Sequence, residues 1–352
     1  MKKLAVLFAT VLVLLLAFSG TAAAAAPPEK IKVLIGFDRA PGQSEEALVR
    51  SFGGDIKFTY RIVPAIAASI PVTAIQGLSK NPRVTVIEPD VEIHIVGDSY
   101  PWGVTKIGTA AVHQSGITGQ GVKIAIIDTG IDYTHPELAS VYKGGYDFVN
   151  NDAYPMDDNG HGTHVAGTIA AAMNDSGIIG VAPGAEIYAL KVLDKNGTGD
   201  FSNVIAALEW ATGGSTLPGS IRVDITNNSY GSTVNPDLFY FGLVEYAFYL
   251  SYYQDGVLNV AAAGNSGNSA GTGDNVIYPA AYESVIAVAA TDQNNVRGYF
   301  SSTGPKVELA APGVSIYSTV PGGYATYSGT SMACPHVVGA AALVMSSPET
   351  TA

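Results

Sequence analysis

In the larger part of the chain, short apolar runs alternate with longer stretches in which apolar residues recur every three or four positions. The runs VKIAIIDTG, EIYALKVL, VDITNNSYG, VLNVAAAGN and SVIAVAATD are nearly continuous in apolar character, the pattern of strands buried on both faces. Between or after them lie HGTHVAGTIAAAM, SNVIAALEWA, LFYFGLVEYAFYLSYY and SMACPHVVGAAALVM, whose spacing predicts helices. Strands and helices in this order predict an α/β fold, a parallel sheet with helices on both faces. Residues 98–352 are long enough for one such core. Sites in these sheets gather at the carboxyl ends of the strands.

Residues 27–97 follow a different pattern. KIKVLIGF and RIVPAIAASIP read as strands, SEEALVRSF and VTAIQGLSK as short helices, and VTVIEPDVEIHIV as a final strand pair. That order predicts a small α+β ferredoxin-like unit. It holds no Cys and only His94, so no catalytic set is found in it. Residues 1–26 place Lys2 and Lys3 before an apolar run and a tail of small residues, the layout of a secretory signal peptide cleaved near Ala26. The run is too short for a membrane span, and no other stretch approaches one. The mature chain is therefore expected outside the cell and free of the membrane.

Charge and cysteine content narrow the classes of partner. The first 97 positions hold 8 acidic and 10 basic residues, leaving 22 and 8 for the rest, a net charge of −14. An acidic surface of that size argues against nucleic acid and for bound cations. Cys334 is the only cysteine, so no intrachain disulfide can form.

The candidate chemistry centres on YSGTSMACPHVVGAAALV, where a glycine-rich turn becomes an apolar helix and Ser331 stands at its start. Unpaired N–H groups and the positive end of the helix dipole suit a nucleophile there, although helix capping would account for a lone serine. Asp128 closes the strand IAIID, where it could equally cap a turn. His161 opens a helix, a position unfavourable for a protonated ring, so packing alone explains it poorly. Asn265 sits on the turn after VLNVAAA and could be an ordinary turn residue. Acyl transfer by serine needs a base near the hydroxyl, an acid to orient that base, and donors for the oxyanion. Ser331, His161 and Asp128 can supply the first two, and the Asn265 amide with the Ser331 N–H the third.

Two other readings use the same residues. A zinc hydrolase would have to use His161 and His164, with or without His135, but the helix lacks the Glu of an H-E-x-x-H site and offers no evident third ligand. A secreted binding protein that has lost catalysis would be expected to lack one of the three residues, and none is missing.

The order Asp, His, Ser, with the segments DTGID, HGTHVAG, AAAGN and GTSMA, resembles the subtilase family, the subtilisin-like serine proteases, from about residue 98 to residue 345. The resemblance implies a secreted serine endopeptidase of broad specificity, in which Asp128 orients the imidazole, His161 is base and then acid, Ser331 attacks and Asn265 completes the oxyanion hole. It implies protein or peptide substrates held along Gly197, Thr198 and Gly199 on one side and Ser229, Tyr230 and Gly231 on the other. It places Ile277 at the wall of an apolar primary pocket, shortened here to favour medium side chains over large aromatic ones. Calcium is the implied cofactor, with a first site at Asp98, Glu137, Ala172, Asn174, Ser176 and Ile178. A second site is implied at Asp147, Asn150 and Asp152. Residues 27–97 resemble the family's propeptide, a chaperone and inhibitor of its own enzyme, so the chain is expected to be a zymogen that cuts itself near Val96 and Gly97 and works as a monomer. Cys334 is expected to be a small buried residue. Related proteases continue for some tens of residues beyond the counterpart of Met345, so residues 98–352 are expected to be a catalytic domain truncated at its C-terminus.

Overall fold

The structure, a computed structural model, describes residues 29–91, 97–235 and 242–348. The expected signal peptide, and residues 92–96 of the expected final strand, lie outside the described residues. The chain divides into two compact units, residues 1–94 and 95–352.

The first unit runs β1 (Lys30–Phe37), α1 (Gln43–Ser51), β2 (Asp55–Thr59), β3 (Ala65–Pro71), α2 (Ile75–Leu78) and β4 (Val84–Pro89). Its sheet has the order β2-β3-β1-β4, every pair antiparallel. Alternation in β1 turns Val33, Ile35 and Phe37 inward against Val49, Ile66, Ile70 and Leu78. Glu45 is buried at the start of α1, where it accepts the Gly42 amide at 2.9 Å and pairs with Arg83. The arrangement is the α+β unit that the pattern predicts. The edge strand β2 is an addition, hidden in the sequence because DIKFT mixes charge with apolar positions.

The second unit begins with α3 (Trp102–Lys106), α4 (Thr109–Gln114), β5 (Lys123–Asp128), β6 (Tyr142–Asp147), α5 (His161–Ala170), β7 (Glu186–Lys191), α6 (Phe201–Ala211) and β8 (Ile225–Asn228). It continues through α7 (Leu243–Tyr253), β9 (Leu258–Ala262), β10 (Val285–Thr291), β11 (Val307–Pro312), the hairpin β12 (Ile316–Val320) and β13 (Gly323–Tyr327), and α8 (Thr330–Met345). Seven strands form one sheet in the order β11-β10-β9-β8-β5-β7-β6, all pairs parallel.

Period two decides how the helices cover this sheet. On β5, Ile124 and Ile126 face a layer with Val165 and Ile169 of α5 and Val338 of α8. Ala125 and Ile127 face the opposite layer, with Leu208 and Trp210 of α6 and Phe248 of α7. Phe248 is fully buried, which stabilises the fold by up to about 3 kcal/mol. A parallel sheet with helices on both faces is therefore what the chain forms.

The five strands legible as apolar runs are all present, and β6 and β11 extend the sheet at its two edges. The sequence YKGGYD of β6 hides a strand because it needs glycine: a Cβ on Gly145 would lie 1.8 Å from the Ala189 carbonyl oxygen of the neighbouring strand. The sheet's layout brings Asp128, at the end of β5, and Asn228, at the end of β8, to the same carboxyl edge.

Candidate active site

Asp128 ends β5 with no exposed surface. Its Oδ1 accepts the Thr129 amide at 2.7 Å and faces His161 Nδ1 at 2.8 Å. Its Oδ2 is buried and has no hydrogen-bond partner among the described residues.

His161 is the first residue of α5 and is partly exposed. The chain can turn into this helix because Gly160 takes a φ of 107°. Burial works against a charged His161 ring, but the Asp128 carboxylate and its hydrogen bond, with Asp157 adding to them, outweigh it and raise the pKa.

Asp157 is the nearest thing to a helix cap here. Its Oδ1 accepts the Thr129 hydroxyl at 2.9 Å and the amides of Asn159 and Gly160 at 3.0 and 2.9 Å. Its Oδ2 accepts the Thr163 amide at 2.9 Å and the Thr163 hydroxyl at 2.6 Å. Buried Lys191 reinforces the same region, donating to the Thr129 carbonyl at 2.6 Å, to Asp158 at 2.7 Å and to the Leu193 carbonyl at 3.0 Å. Neither Asp157 nor Lys191 is among the residues that the sequence pattern singles out. An acid in the turn DDNG reads as an ordinary turn residue, and only the fold shows which amides it meets.

Ser331 is the second residue of α8. Its hydroxyl donates to the Ser229 carbonyl at 2.9 Å, and the Ser229 hydroxyl donates back to the Ser331 carbonyl at 3.0 Å. Ser229 and His161 line one cleft of about 390 Å³, so the two bonds hold Ser331 to its wall. Asn265 follows β9, and its Oδ1 accepts the amide and the hydroxyl of Thr330, both at 3.0 Å. Its amide nitrogen thus turns toward Gly329, 3.5 Å from where a Cβ there would stand.

The cleft is also lined by Gly197, Thr198, Gly199, Tyr230 and Gly231. Asp194 holds the first of these segments by accepting the Thr198 amide at 3.0 Å. Gly199 must be glycine, since a Cβ would lie 2.1 Å from the Val192 carbonyl oxygen. Ile277 packs between two glycines: Cβ atoms on Gly231 and Gly264 would meet its side chain at 2.5 and 2.8 Å.

Asp98, Glu137, Ala172, Asn174, Ser176 and Ile178 are brought together at the far end of α5. Glu137 is buried, and it accepts the Tyr324 hydroxyl at 2.7 Å, the Ile178 amide at 3.3 Å and the Asn174 amide N–H2 at 3.3 Å. Asp98 accepts the Ser176 amide at 2.8 Å, and the Ala172 amide donates to the Glu137 carbonyl at 2.9 Å. Burial raises the Glu137 pKa, and the Tyr324 and Ile178 bonds only partly offset it. No Lys or Arg pairs with Glu137 among the described residues. Gly177, at φ +75°, lets the chain pass close against this carboxylate, since a Cβ there would lie 1.9 Å from Glu137 Oε1 and 2.3 Å from the Tyr324 hydroxyl. A buried carboxylate with no basic side chain paired to it, beside a loop that also holds the Asp98 and Asn174 side-chain oxygens, fits a hard cation.

Asp147, Asn150 and Asp152 do not fit one. Asp147 Oδ1 accepts the Val149 and Asn150 amides, each at 2.8 Å, its Oδ2 accepts the Asn150 side chain at 2.9 Å, and Asp152 accepts the Tyr154 amide at 2.8 Å. These oxygens serve their own turn. No three His, Cys, Asp or Glu side chains converge as a metal site among the described residues. His135 faces the Gly323 carbonyl at 3.0 Å, and His164 the Ile316 carbonyl at 3.0 Å, neither aimed at a site shared with His161. Cys334 is fully buried beside Asn227, and burial pushes its thiol up to about 12.

No described helix is long and apolar enough to cross a membrane. The chain is 41% identical over 99% of its length to subtilisin E of Bacillus subtilis (strain 168), of which it covers 90%. It is 42% identical over 95% of its length to an alkaline protease of Alkalihalobacillus alcalophilus, covering 86% of that protein. To a thermostable alkaline protease of Halalkalibacterium halodurans it is 40% identical, again over 95% of this chain and 86% of the relative. Residues 119–351 match the model of the subtilase family. Strand order, the Asp128–His161 pair and these likenesses agree, and the chain belongs to the subtilase family.

Proposed function

We propose that the chain is a secreted serine endopeptidase acting through Asp128, His161 and Ser331. The observation that carries this is the 2.8 Å contact of a buried Asp128 with His161 at the rim of a cleft to which Ser331 is bonded. Asp128 fixes the proton on Nδ1, which leaves Nε2 as the base. The Ser331 hydroxyl donates to the Ser229 carbonyl at rest. A rotation between staggered positions of its Cα–Cβ bond turns it to the imidazole as substrate binds. Ser331 then adds to the scissile carbonyl, and the oxyanion is met by the Ser331 N–H and the Asn265 amide. His161 passes its proton to the departing amine, and water attacks the acyl-enzyme by the same route in reverse.

An extended peptide would pair with the backbone of Gly197, Thr198 and Gly199 and of Ser229, Tyr230 and Gly231. Ile277, wedged between Gly231 and Gly264, would close the primary pocket to large aromatic side chains. Calcium is the cation we assign to Asp98, Glu137, Ala172, Asn174, Ser176 and Ile178, where it would supply the positive charge that buried Glu137 lacks. We further assign residues 1–26 as signal peptide, 27–97 as a propeptide that inhibits the enzyme until it is cut off, and 98–352 as the catalytic domain, a monomer outside the cell.

Purified protein incubated with casein should cleave it, and the Ser331→Ala form should not. A serine-directed phosphonate should abolish the activity. N-terminal sequencing should find a start near Asp98 only when Ser331 is present. Cleavage by the Ser331→Ala form would overturn the reading.

A further inference from the structure

The polar network behind His161 has a second carboxylate at its centre. Asp157 is 5% exposed and accepts five hydrogen bonds, from Thr129, Asn159, Gly160 and twice from Thr163. Three of these residues bracket His161 in sequence, and the fourth follows Asp128. Thr129 closes the circuit: its hydroxyl gives its proton to Asp157 and accepts the Gly162 amide at 2.9 Å. The fit is tight, since a Cβ on Gly162 would lie 2.1 Å from the Gly130 carbonyl oxygen and 3.2 Å from Asp128. Helix capping needs only one or two of these bonds. The remainder join the strand end carrying Asp128 to the helix start carrying His161.

We propose that Asp157 is a positioning residue for peptide cleavage: through Thr129 on one side and the amides flanking His161 on the other, its buried carboxylate sets the Asp128–His161 geometry and supplies a second negative charge behind the imidazole. This rests on the proposed roles of Asp128, His161 and Ser331. Other charged or titratable groups facing the ring's surroundings are Asp128 on β5, Asp158 paired with Lys191 of β7, and His164 one turn along α5. The Asp158–Lys191 pair is internally neutral, which leaves Asp128 and Asp157 as the uncompensated charges. Consistently, both raise the pKa of His161.

Asp157→Asn keeps the shape and removes the charge. Because the charge favours the imidazolium, its loss lets His161 deprotonate at lower pH. The acid limb of kcat/KM should therefore move down by about half a pH unit or more, with kcat lowered roughly tenfold and KM within about twofold. Thr129→Val breaks the link but keeps the charge, and it should lower kcat with the acid limb unmoved. Should Asp157→Asn fail to fold, the Thr129→Val kcat and pH profile decide the matter. If the parent enzyme cleaves peptide and both variants match it in kcat and acid limb, the role of Asp157 is overturned while the catalytic reading stands. If the parent shows no Ser331-dependent cleavage, both fall.

Discussion

The two ends of α5 make opposite use of buried acids. At its start, Asp157 has donors for both oxygens at 2.6–3.0 Å, and of the buried carboxylate oxygens there only Asp128 Oδ2 lacks a partner among the described residues. Beyond its other end, Glu137 is as deeply buried yet has one short bond, from Tyr324, and two contacts at 3.3 Å. Backbone amides of a helix start supply fixed positive poles, so the hydrogen bonds that Asp157 needs come from the chain alone. The loop after the helix meets Glu137 only with the Ile178 amide and the Asn174 side chain, both at 3.3 Å, and the calcium proposed there would supply the missing positive charge. The first end should therefore govern rate and the second stability.

Removing the imidazole tests that division with the largest effect. His161→Ala should lower kcat about 10⁶-fold, a size carried over from subtilisin, a relative, rather than derived from this chain. Its melting temperature in calcium should stay within about 2 °C of the parent's. A variant that melted far lower would mean that the helix start is holding the fold together as well.

Between the two ends stands His164, fully buried, whose pKa burial lowers to about 4; His336 in α8 is lowered to about 4 in the same way. Both rings are neutral in the fold and gain a proton near pH 6.5 once unfolded, so stability is full above that value and falls as pH drops toward 4. The loss is on the order of 3 kcal/mol per ring. Urea unfolding of the Ser331→Ala form at pH 7 and pH 4.5, in excess calcium, should show it. Equal stability at the two values would contradict neutral burial of these rings.

Chelation addresses the far end alone. Removing a cation held at about 100 to 1,000 times its Kd costs roughly 3–4 kcal/mol, or about 5–15 °C in Tm for a unit of this size. Turnover by molecules still folded should not change. An unaltered Tm would refute the calcium assignment at Glu137.

What the sequence discloses about these two ends differs for the same physical reason. Apolar strands announce themselves, and β5 and β8 with their terminal Asp128 and Asn228 fall where the pattern puts them. Asp128, His161, Ser331 and Asn265 stand out because their residue types fit their local settings poorly or answer a chemical need. Asp157 does neither, for its function is to accept amides that only folding delivers. Asp147, Asn150 and Asp152 show the converse, since a cluster of acidic and amide side chains resembles a cation loop until its oxygens are found on their own turn. β6 was illegible because its glycines serve contact with β7 rather than a period.

The smallest effect separates strain from cation binding. Gly177→Ala places a methyl group at a φ of +75°, costing about 1–2 kcal/mol whatever is bound, and that methyl would sit 1.9 Å from Glu137 Oε1. Strain alone lowers Tm by the same few degrees with and without calcium. A cradle built for a cation responds unequally: displacement of the Glu137 carboxylate weakens binding, so the variant falls further behind the parent in calcium than in chelator. The gap between the two melting curves, rather than either Tm, is the readout. If that gap is the same in Gly177→Ala as in the parent, Glu137 Oε1 is not a ligand of the ion, and the charge that buried Glu137 lacks must be met in another way.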